Sequence, residues 1–293
     1  MVLVKESKLF DVVNVTLLIL VGLATLFPLY YVFVVSFTDP SEYIAKQGFV
    51  LFPEKWSILS YKYILSTDSY LRATGVSAFL ATAGTVLSLM VTASLAYGLS
   101  RKRLKIRKPL MLMVLFTMLF SPGIIPHYIL VRDLHLINNL WSLILPALSS
   151  GWYVFLMKSF FDSIPPALEE AAMVDGYNDV GIFFRIILPL SLPAMAAFGL
   201  FYAVGYWNTY FNAVLYINDP TKWPLQILLQ NILIESSTSS QGSGAAELMN
   251  ERQLPAQTLK MAAVVVATTP ILLIYPMLQK HFAKGVMLGS IKG

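Results

Sequence analysis

One segment of seven residues contains three carboxylates, Glu169, Glu170 and Asp175, and Gly176 follows it directly. A carboxylate near the start of a helix is favoured by the helix dipole by ~0.3–1 kcal/mol. A glycine just behind a helix suits the left-handed turn that ends it. We therefore predict two short helices that meet at Gly176 and present acidic groups. This arrangement is typical of a protruding docking site for a soluble partner.

Residues around this segment supply the helix boundaries. Ser163 is expected to cap the first helix, with the prolines at 165–166 in its first turn. Asn178 or Asp179 is expected to cap the second helix, and Pro189 to mark its junction with the next apolar segment. The alternative interpretation is an ordinary connecting loop with two capped helices.

A second candidate group lies deep in an apolar segment, and it combines aromatic rings with amides. Its members are Tyr206, Trp207, Asn208, Phe211 and Asn212. On a continuous helix, Trp207 shares a face with Phe211, and Asn208 shares one with Asn212. Sugars stack on aromatic rings and bond to amides, so this face is our candidate pore lining. Trp and Tyr also form belts at membrane interfaces, and asparagine also joins helices, which leaves two structural alternatives.

The composition indicates a protein dissolved in lipid. The chain is 57% hydrophobic and 13% charged, whereas soluble domains carry about 25% charged residues. It has no cysteine, which excludes disulfides and thiolate chemistry. It also has no Gly-x4-Gly-Lys-Ser/Thr phosphate loop, so we do not expect this chain to hydrolyse ATP. The three histidines lack ligand spacing, and no metal site is predicted.

Six apolar segments are long enough to cross the ~30 Å hydrocarbon core. They are residues 11–36, 73–98, 109–131, 140–160, 190–217 and 260–282. We predict an all-α membrane protein in which residues 1–293 form a single domain. The first segment is too long for a signal-peptide core and is expected to stay attached. The third helix is expected to end near Phe120, before Pro122, with an irregular, partly re-entrant stretch up to Arg132.

Basic residues indicate the orientation. Six lysines and arginines crowd residues 101–108, so this connection is expected to be cytoplasmic. Both termini and the segment 161–189 are then cytoplasmic, and the loops 38–72 and 218–259 lie outside. The first outer loop either contacts a partner or packs over the outer face.

The second outer loop is expected to contain a short interfacial helix over 225–233 and then a flexible linker over 236–244. At the other end of the chain, the tail 284–293 either reaches a partner or frays.

With its full spacing, the acidic segment resembles the coupling signature of binding-protein-dependent ABC importer permeases. The signature reads Glu170-Ala171-Ala172, Gly176, Ile186 and Leu188-Pro189, between the fourth and fifth spans. Stretches similar to sugar-type permeases occur at 96–101, 125–126, 134–136, 145–146 and 279–293. The chain looks like a maltose-type second permease subunit. It looks closest to the branch that imports complex oligosaccharides, including uronic-acid oligomers from alginate or pectin.

The resemblance implies a type I importer permease fold of six transmembrane helices with a cytoplasmic coupling helix, in the bacterial inner membrane. It implies a heterodimeric pore with a second permease, two ABC ATPase subunits, and an extracytoplasmic binding protein that delivers an oligosaccharide. ATP and Mg would bind on the ATPase, and neither a cofactor in this chain nor a nucleic-acid partner is expected. The implied coupling residues are Glu169, Glu170, Ala171, Ala172, Asp175 and Gly176.

Two other classes of function compete with this interpretation. A secondary transporter driven by an ion gradient needs charged residues inside the spans, and these are scarce here. A membrane enzyme needs a clustered catalytic set, which the sequence does not contain. We therefore expect a pore-forming subunit that is not itself an enzyme, while the identity of the sugar stays open.

Overall fold

The computed structural model describes residues 8–238 and 256–286, with side chains for 10–232, 257–274 and 276. Regular structure within these residues is helical, and one isolated bridge joins Thr38 and Trp56. The predicted all-α class is confirmed. The helices are α1 (Lys8–Ser36), α2 (Pro40–Ala45), α3 (Leu59–Ser66), α4 (Asp68–Ser100), α5 (Arg107–Leu119), α6 (Ile124–Asp133), α7 (Trp141–Ile144), α8 (Gly151–Asp162), α9 (Pro166–Val174), α10 (Asp179–Ile182), α11 (Leu188–Leu190), α12 (Leu192–Trp207), α13 (Phe211–Tyr216), α14 (Leu225–Thr238) and α15 (Ala256–Val286).

The described residues contain six candidate membrane spans when each bent helix pair counts as one span. The helices α1, α4 and α15 each contain an unbroken apolar stretch of spanning length. The third span, α5 with α6, is bent by 116°. The fourth bends by 50° ahead of α8, and the fifth by 81° ahead of α12. The number of spans agrees with the sequence, and the bends within the fourth and fifth spans were not predicted.

The third span bends where a proline and a glycine interrupt it. The helix α5 ends just before Phe120, which is its C-cap, as predicted. The predicted irregular stretch is confirmed only over residues 121–123 and is wrong from there to Arg132, because α6 is a regular helix from Ile124. Gly123 precedes α6 with a φ of +83°. Pro126 falls in the first turn of α6, where its missing amide costs no helical hydrogen bond.

The fourth span bends over residues 148–150, and the fifth bends at Ser191. The 3-10 turn Leu145–Ala147 holds Pro146 between α7 and α8. The predicted junction at Pro189 is wrong, because the helical run continues through Pro189 and turns at Ser191. A π-helix over Phe183–Ile187 comes first and shifts the hydrogen-bond register. Pro189 therefore lies at the start of α11, where proline is tolerated.

Backbone contacts divide the described chain into two compact units. The first holds the chain up to Asp68 together with Leu229–Thr269, and the second holds Ser69–Leu228 together with the chain from Pro270. Both predicted functional sites belong to the second unit.

In the first unit, the buried carboxylate of Glu42 organises the loop that follows α1. It accepts the backbone N–H of Glu54 at 2.9 Å and that of Lys55 at 2.8 Å, and it pairs with the Lys46 ammonium at 2.8 Å. Burial by itself raises the pKa of Glu42. The hydrogen bonds outweigh burial and lower the pKa to about 2.

In the second unit, two pairs of buried hydroxyls join α4 to α12. The Tyr206 hydroxyl lies 2.9 Å from Ser88 Oγ. One turn along, the Tyr202 hydroxyl lies 2.7 Å from Thr92 Oγ1. Such hydrogen bonds are suited to an apolar environment, where each group needs a partner.

The helix α14 begins at Leu225, whose backbone N–H donates to the buried Ser77 Oγ of α4 at 2.8 Å. This confirms the helix predicted over 225–233. The helix extends to Thr238, so the flexible linker predicted from 236 is wrong over 236–238, and residues 239–244 lie outside the described chain. The tail is described only as far as Val286, within α15, and residues 287–293 lie outside as well.

Candidate functional site

The predicted acidic segment folds into two helices, α9 and α10, joined by a tight turn. We call α9, the turn and α10 the acidic hairpin. Gly176 has a φ of +84°, and its N–H donates to the Met173 carbonyl at 3.0 Å. The N–H of Tyr177 donates to the Ala172 carbonyl, also at 3.0 Å. These two bonds form a Schellman motif, which confirms the left-handed turn predicted at Gly176.

The predicted caps of the acidic hairpin have different outcomes. Asn178 caps α10, because its Oδ1 accepts the N–H of Gly181 at 2.8 Å. The predicted capping role of Ser163 in α9 is wrong. Ser163 is the C-cap of α8 and donates to the Phe160 carbonyl at 2.6 Å. Pro165 stands at the N-cap of α9 instead and provides no capping hydrogen bond. Glu169, in the first turn, still lies near the positive end of the α9 dipole.

Arginines from the α4–α5 connection pair with the acidic hairpin. Arg101 forms an ion pair with Glu169, and both side chains are 14% exposed. Arg103 reaches the same carboxylate at 3.4 Å and also pairs with Asp179 at the start of α10. Its guanidinium further donates to the Met173 sulfur at 3.4 Å. Burial lowers the pKa of Arg101, but a guanidinium remains charged at physiological pH.

An aromatic cluster lies behind these ion pairs. The Arg101 guanidinium stacks on the ring of Tyr97, 4.5 Å from its centroid. The Tyr97 ring also packs on Phe183 at 4.9 Å and on Phe161 at 6.4 Å between centroids. Tyr97 and Phe183 are each 7% exposed. The end of α4 is therefore packed between α8 and the π-helix that follows α10.

The remaining predicted coupling residues differ in exposure. Glu170, Ala171, Asp175 and Gly176 are exposed. Ala172 is buried, at 4% exposure, within the core of the second unit. Its small side chain therefore packs inside this chain, whereas Ala171 is on the exposed side of α9. Glu170 lines a cavity of about 660 Å³ together with Arg101 and Glu169.

Sequence reasoning used the basic residues of 101–108 only for orientation and missed their contacts with the acidic hairpin. Arg101 and Arg103 lie more than sixty positions from Glu169, and no local periodicity links them. The available signal was charge complementarity between two segments placed on the same side of the membrane.

The second predicted group does not form one helical face. The helix α12 ends at Trp207, with Asn208 as its C-cap, and α13 starts only at Phe211. The prediction that Trp207 shares a helix face with Phe211, and Asn208 with Asn212, is therefore wrong. Asn208 accepts a hydrogen bond from the Gln226 amide at 3.1 Å.

Burial divides this group further. Tyr206 and Trp207 are buried, at 4% and 7% exposure. Asn208, Phe211 and Asn212 are exposed. The first pair belongs to the packing of α12, and the other three form an exposed surface beyond its end.

Fold and site together define a helical membrane protein that carries an ion-paired acidic hairpin where its fourth span leads into its fifth. Residues 8–288 match the family described as binding-protein-dependent transport system inner membrane component. The chain belongs to this family. It is therefore a permease subunit of the inner membrane, and the type I permease fold expected from the resemblance is confirmed.

Three known proteins illustrate the similarity. The chain is 47% identical over 293 residues to the polygalacturonan/rhamnogalacturonan transport system permease protein YtcP of Bacillus subtilis, covering 98% of this chain and 100% of that protein. It is 44% identical over 289 residues to protein LplC of the same organism, covering 99% and 97%. A solved structure described as a bacterial ABC transporter involved in the import of the acidic polysaccharide alginate matches with a TM-score of 0.87 and 28% identity, covering 96% and 99%.

Proposed function

We propose that this chain forms half of the translocation path of an ATP-driven importer for uronic-acid-containing oligosaccharides. The observation that carries the proposal is the 47% identity, along the whole chain, to a permease for polygalacturonan and rhamnogalacturonan. The similarity to an alginate transporter supports the same substrate class, because alginate and polygalacturonan are both polymers of uronic acids.

We further propose that the acidic hairpin is the docking site for an ABC ATPase. The chain contains no phosphate-loop motif, so ATP and Mg would bind on that partner. Arg101 and Arg103 of the basic stretch 101–108 pair with the acidic hairpin, and the basic stretch favours a cytoplasmic position for both. With six spans, the two termini are then cytoplasmic as well.

The other partners follow from the transport task. A second permease subunit would complete the pore, most simply as a heterodimer, and an extracytoplasmic binding protein would deliver the sugar. Two ATPase subunits would close and open beneath the pair. Movement of their docking sites would rock the pore halves and give alternating access.

Within the pore, we propose that Asn208, Phe211 and Asn212 contact the sugar, with Tyr206 and Trp207 packed behind them. Their exposure beyond the end of α12 supports this assignment. Replacing Asn208 with alanine should lower uptake by about two- to tenfold, the effect of one lost hydrogen bond. ATPase stimulation by the binding protein should stay intact. Asn218, an exposed asparagine outside the group, provides the matched alanine control.

The decisive experiment is uptake in proteoliposomes that contain the full complex and its binding protein. Oligogalacturonides and alginate oligomers should be imported and should stimulate ATP hydrolysis, whereas neutral maltooligosaccharides should not. Vanadate should stop uptake, and ionophores that collapse ion gradients should leave it unchanged. Import of neutral sugars alone would refute the substrate class, and sensitivity to ionophores alone would refute the ATP-driven mechanism.

A further inference from the structure

Two adjacent carboxylates of the acidic hairpin lie in different environments. The Glu169 side chain is 14% exposed and faces Arg101 and Arg103. Glu170 is exposed, and no ion pair joins it to another residue whose side chain the structure describes. A charge that is already paired and largely buried gains little from a second partner, whereas an exposed carboxylate is available to one.

The arginines attach both arms of the acidic hairpin to the same end of α4. Arg101 and Arg103 hold the first arm through Glu169, and Arg103 holds the second arm through Asp179. The planar guanidinium forms several directed hydrogen bonds at once. A bridge to two helices also restricts the angle between them, which a single ion pair would not do.

Aromatic packing reinforces this attachment. The Tyr97 ring packs on the Phe183 ring at 4.9 Å between centroids, and the Arg101 guanidinium lies over the Tyr97 ring, 4.5 Å from its centroid. Tyr97 is in the last turn of α4, and Phe183 opens the π-helix behind α10. The two elements are therefore close-packed as well as ion-paired.

The helix α4 carries polar contacts along its length as well as at this end. Ser88 and Thr92 meet tyrosines of α12, and Ser77 meets the start of α14. At 1.5 Å per residue, Ser77 lies about 35 Å along the helix from its last residue, Ser100. One helix thus connects the acidic hairpin to α12 and to the segment that follows the exposed Asn208 group.

We propose that Arg101 and Arg103, with Glu169 and Asp179, form a clamp that makes the acidic hairpin and α4 one rigid body. Glu169 is then a positioning residue inside this chain, and Glu170 is the carboxylate left for the docked partner. A displacement of the acidic hairpin would be carried directly into α4. This inference rests on the proposed function only in naming the ATPase as the source of that displacement.

A distance measurement tests the clamp independently of the substrate. The chain has no native cysteine, so spin labels can be placed at Met90→Cys on α4 and at Ala167→Cys on α9, both exposed, within the full complex. The clamp predicts one narrow distance distribution that is the same with and without ATP. Arg101→Glu should broaden it, and the matched change Lys102→Glu, at an exposed neighbour, should not. A distribution that is equally narrow in Arg101→Glu would overturn the proposal.

A charge swap tests the consequence for transport. Arg101→Glu and Glu169→Arg should each lower sugar transported per ATP hydrolysed by about tenfold, the effect of an unpaired group. The double swap should recover most of this loss, while Glu170→Gln should instead weaken co-purification of the ATPase. Failure of the double swap to recover, with both single variants assembled, would contradict the clamp. If the wild-type complex shows no stimulated ATPase activity, the proposed function fails, and the spin-label result still decides on the clamp.

Discussion

The ring of Tyr206 lies directly against the backbone of Gly84, so that a methyl group at position 84 would stand 2.6 Å from Cε2 of that ring. No real Cβ tolerates such a distance without movement of its neighbour. Helices in membranes use small residues to approach closely, and here the small residue admits an aromatic ring whose hydroxyl then meets Ser88. This contact sets the spacing between α4 and α12.

Replacement of Gly84 with alanine should therefore destabilise the protein. The added methyl group must displace the Tyr206 ring, at a cost of about 1–3 kcal/mol for overpacking. Thermal unfolding of the purified complex measures the effect. Gly75→Ala is the matched control, since a methyl group there meets no described atom within 4 Å. Equal melting temperatures for the two variants would show that the Tyr206 ring can move aside without loss of stability.

The hydroxyl pair between Ser88 and Tyr206 should contribute a measurable coupling energy. In a double-mutant cycle of Ser88→Ala and Tyr206→Phe, we expect about 0.6 kcal/mol, the average for such bonds in membrane proteins. Unfolding in mixed micelles provides the four free energies. Pairing Ser94→Ala with Tyr206→Phe serves as the reference cycle, because Ser94 bonds only to the carbonyl of Met90 in its own helix. Additive effects in the first cycle would argue against the bond.

Gly176→Val should uncouple the acidic hairpin from its partner. A β-branched residue in the left-handed conformation costs about 1–2 kcal/mol, and the two bonds of the Schellman motif would be strained. The space around Gly176 is open, with no described atom within 4 Å of an added methyl group. The effect is therefore one of backbone conformation, and Gly176→Asn should be tolerated because asparagine accepts this conformation. ATP hydrolysis stimulated by the binding protein is the measurement, and full stimulation in the valine variant would refute the prediction.

The hydrogen bonds of Glu42 should make the stability of the loop after α1 depend on pH. Its pKa is lowered from 4.5 to about 2, so its stabilising effect is complete above pH 4.5 and is lost as the pH falls toward 2. Hydrogen exchange should show the Glu54 and Lys55 amides protected at pH 5 and above. Glu42→Gln should raise the exchange rates of these two amides about tenfold at neutral pH, because a charge-assisted hydrogen bond is lost. Glu54→Gln is the control, since that carboxylate is 77% exposed and accepts neither amide.

Sequence reasoning succeeded where the physical signal is local. Gly176 and Asn178 were predictable because a turn and a cap depend on residues within four positions. The end of α5 near Phe120 was predictable because prolines act on their immediate neighbours. Hydropathy identified six spans because each needs a long apolar run.

Features that depend on contacts distant in sequence were not predictable. The end of α12 at Trp207 lies inside an apolar run, and Asn208 carries no breaker signal of its own. The π-helix before Pro189 displaced a junction that proline alone would have placed earlier. The pairing of Arg101 with Glu169 requires the fold that brings two loops together, and periodicity contains no information about it.

The break between α5 and α6 has a consequence for the life of the newly made subunit. Residues 115–126 are all exposed, and the chain turns there by 116° with helix ends whose backbone groups lack helical partners. In a bilayer, such groups need protein or water beside them. A copy inserted alone in lipid would leave the groups at this bend without partners, so we expect it to be less stable there than a copy whose bend is covered by protein.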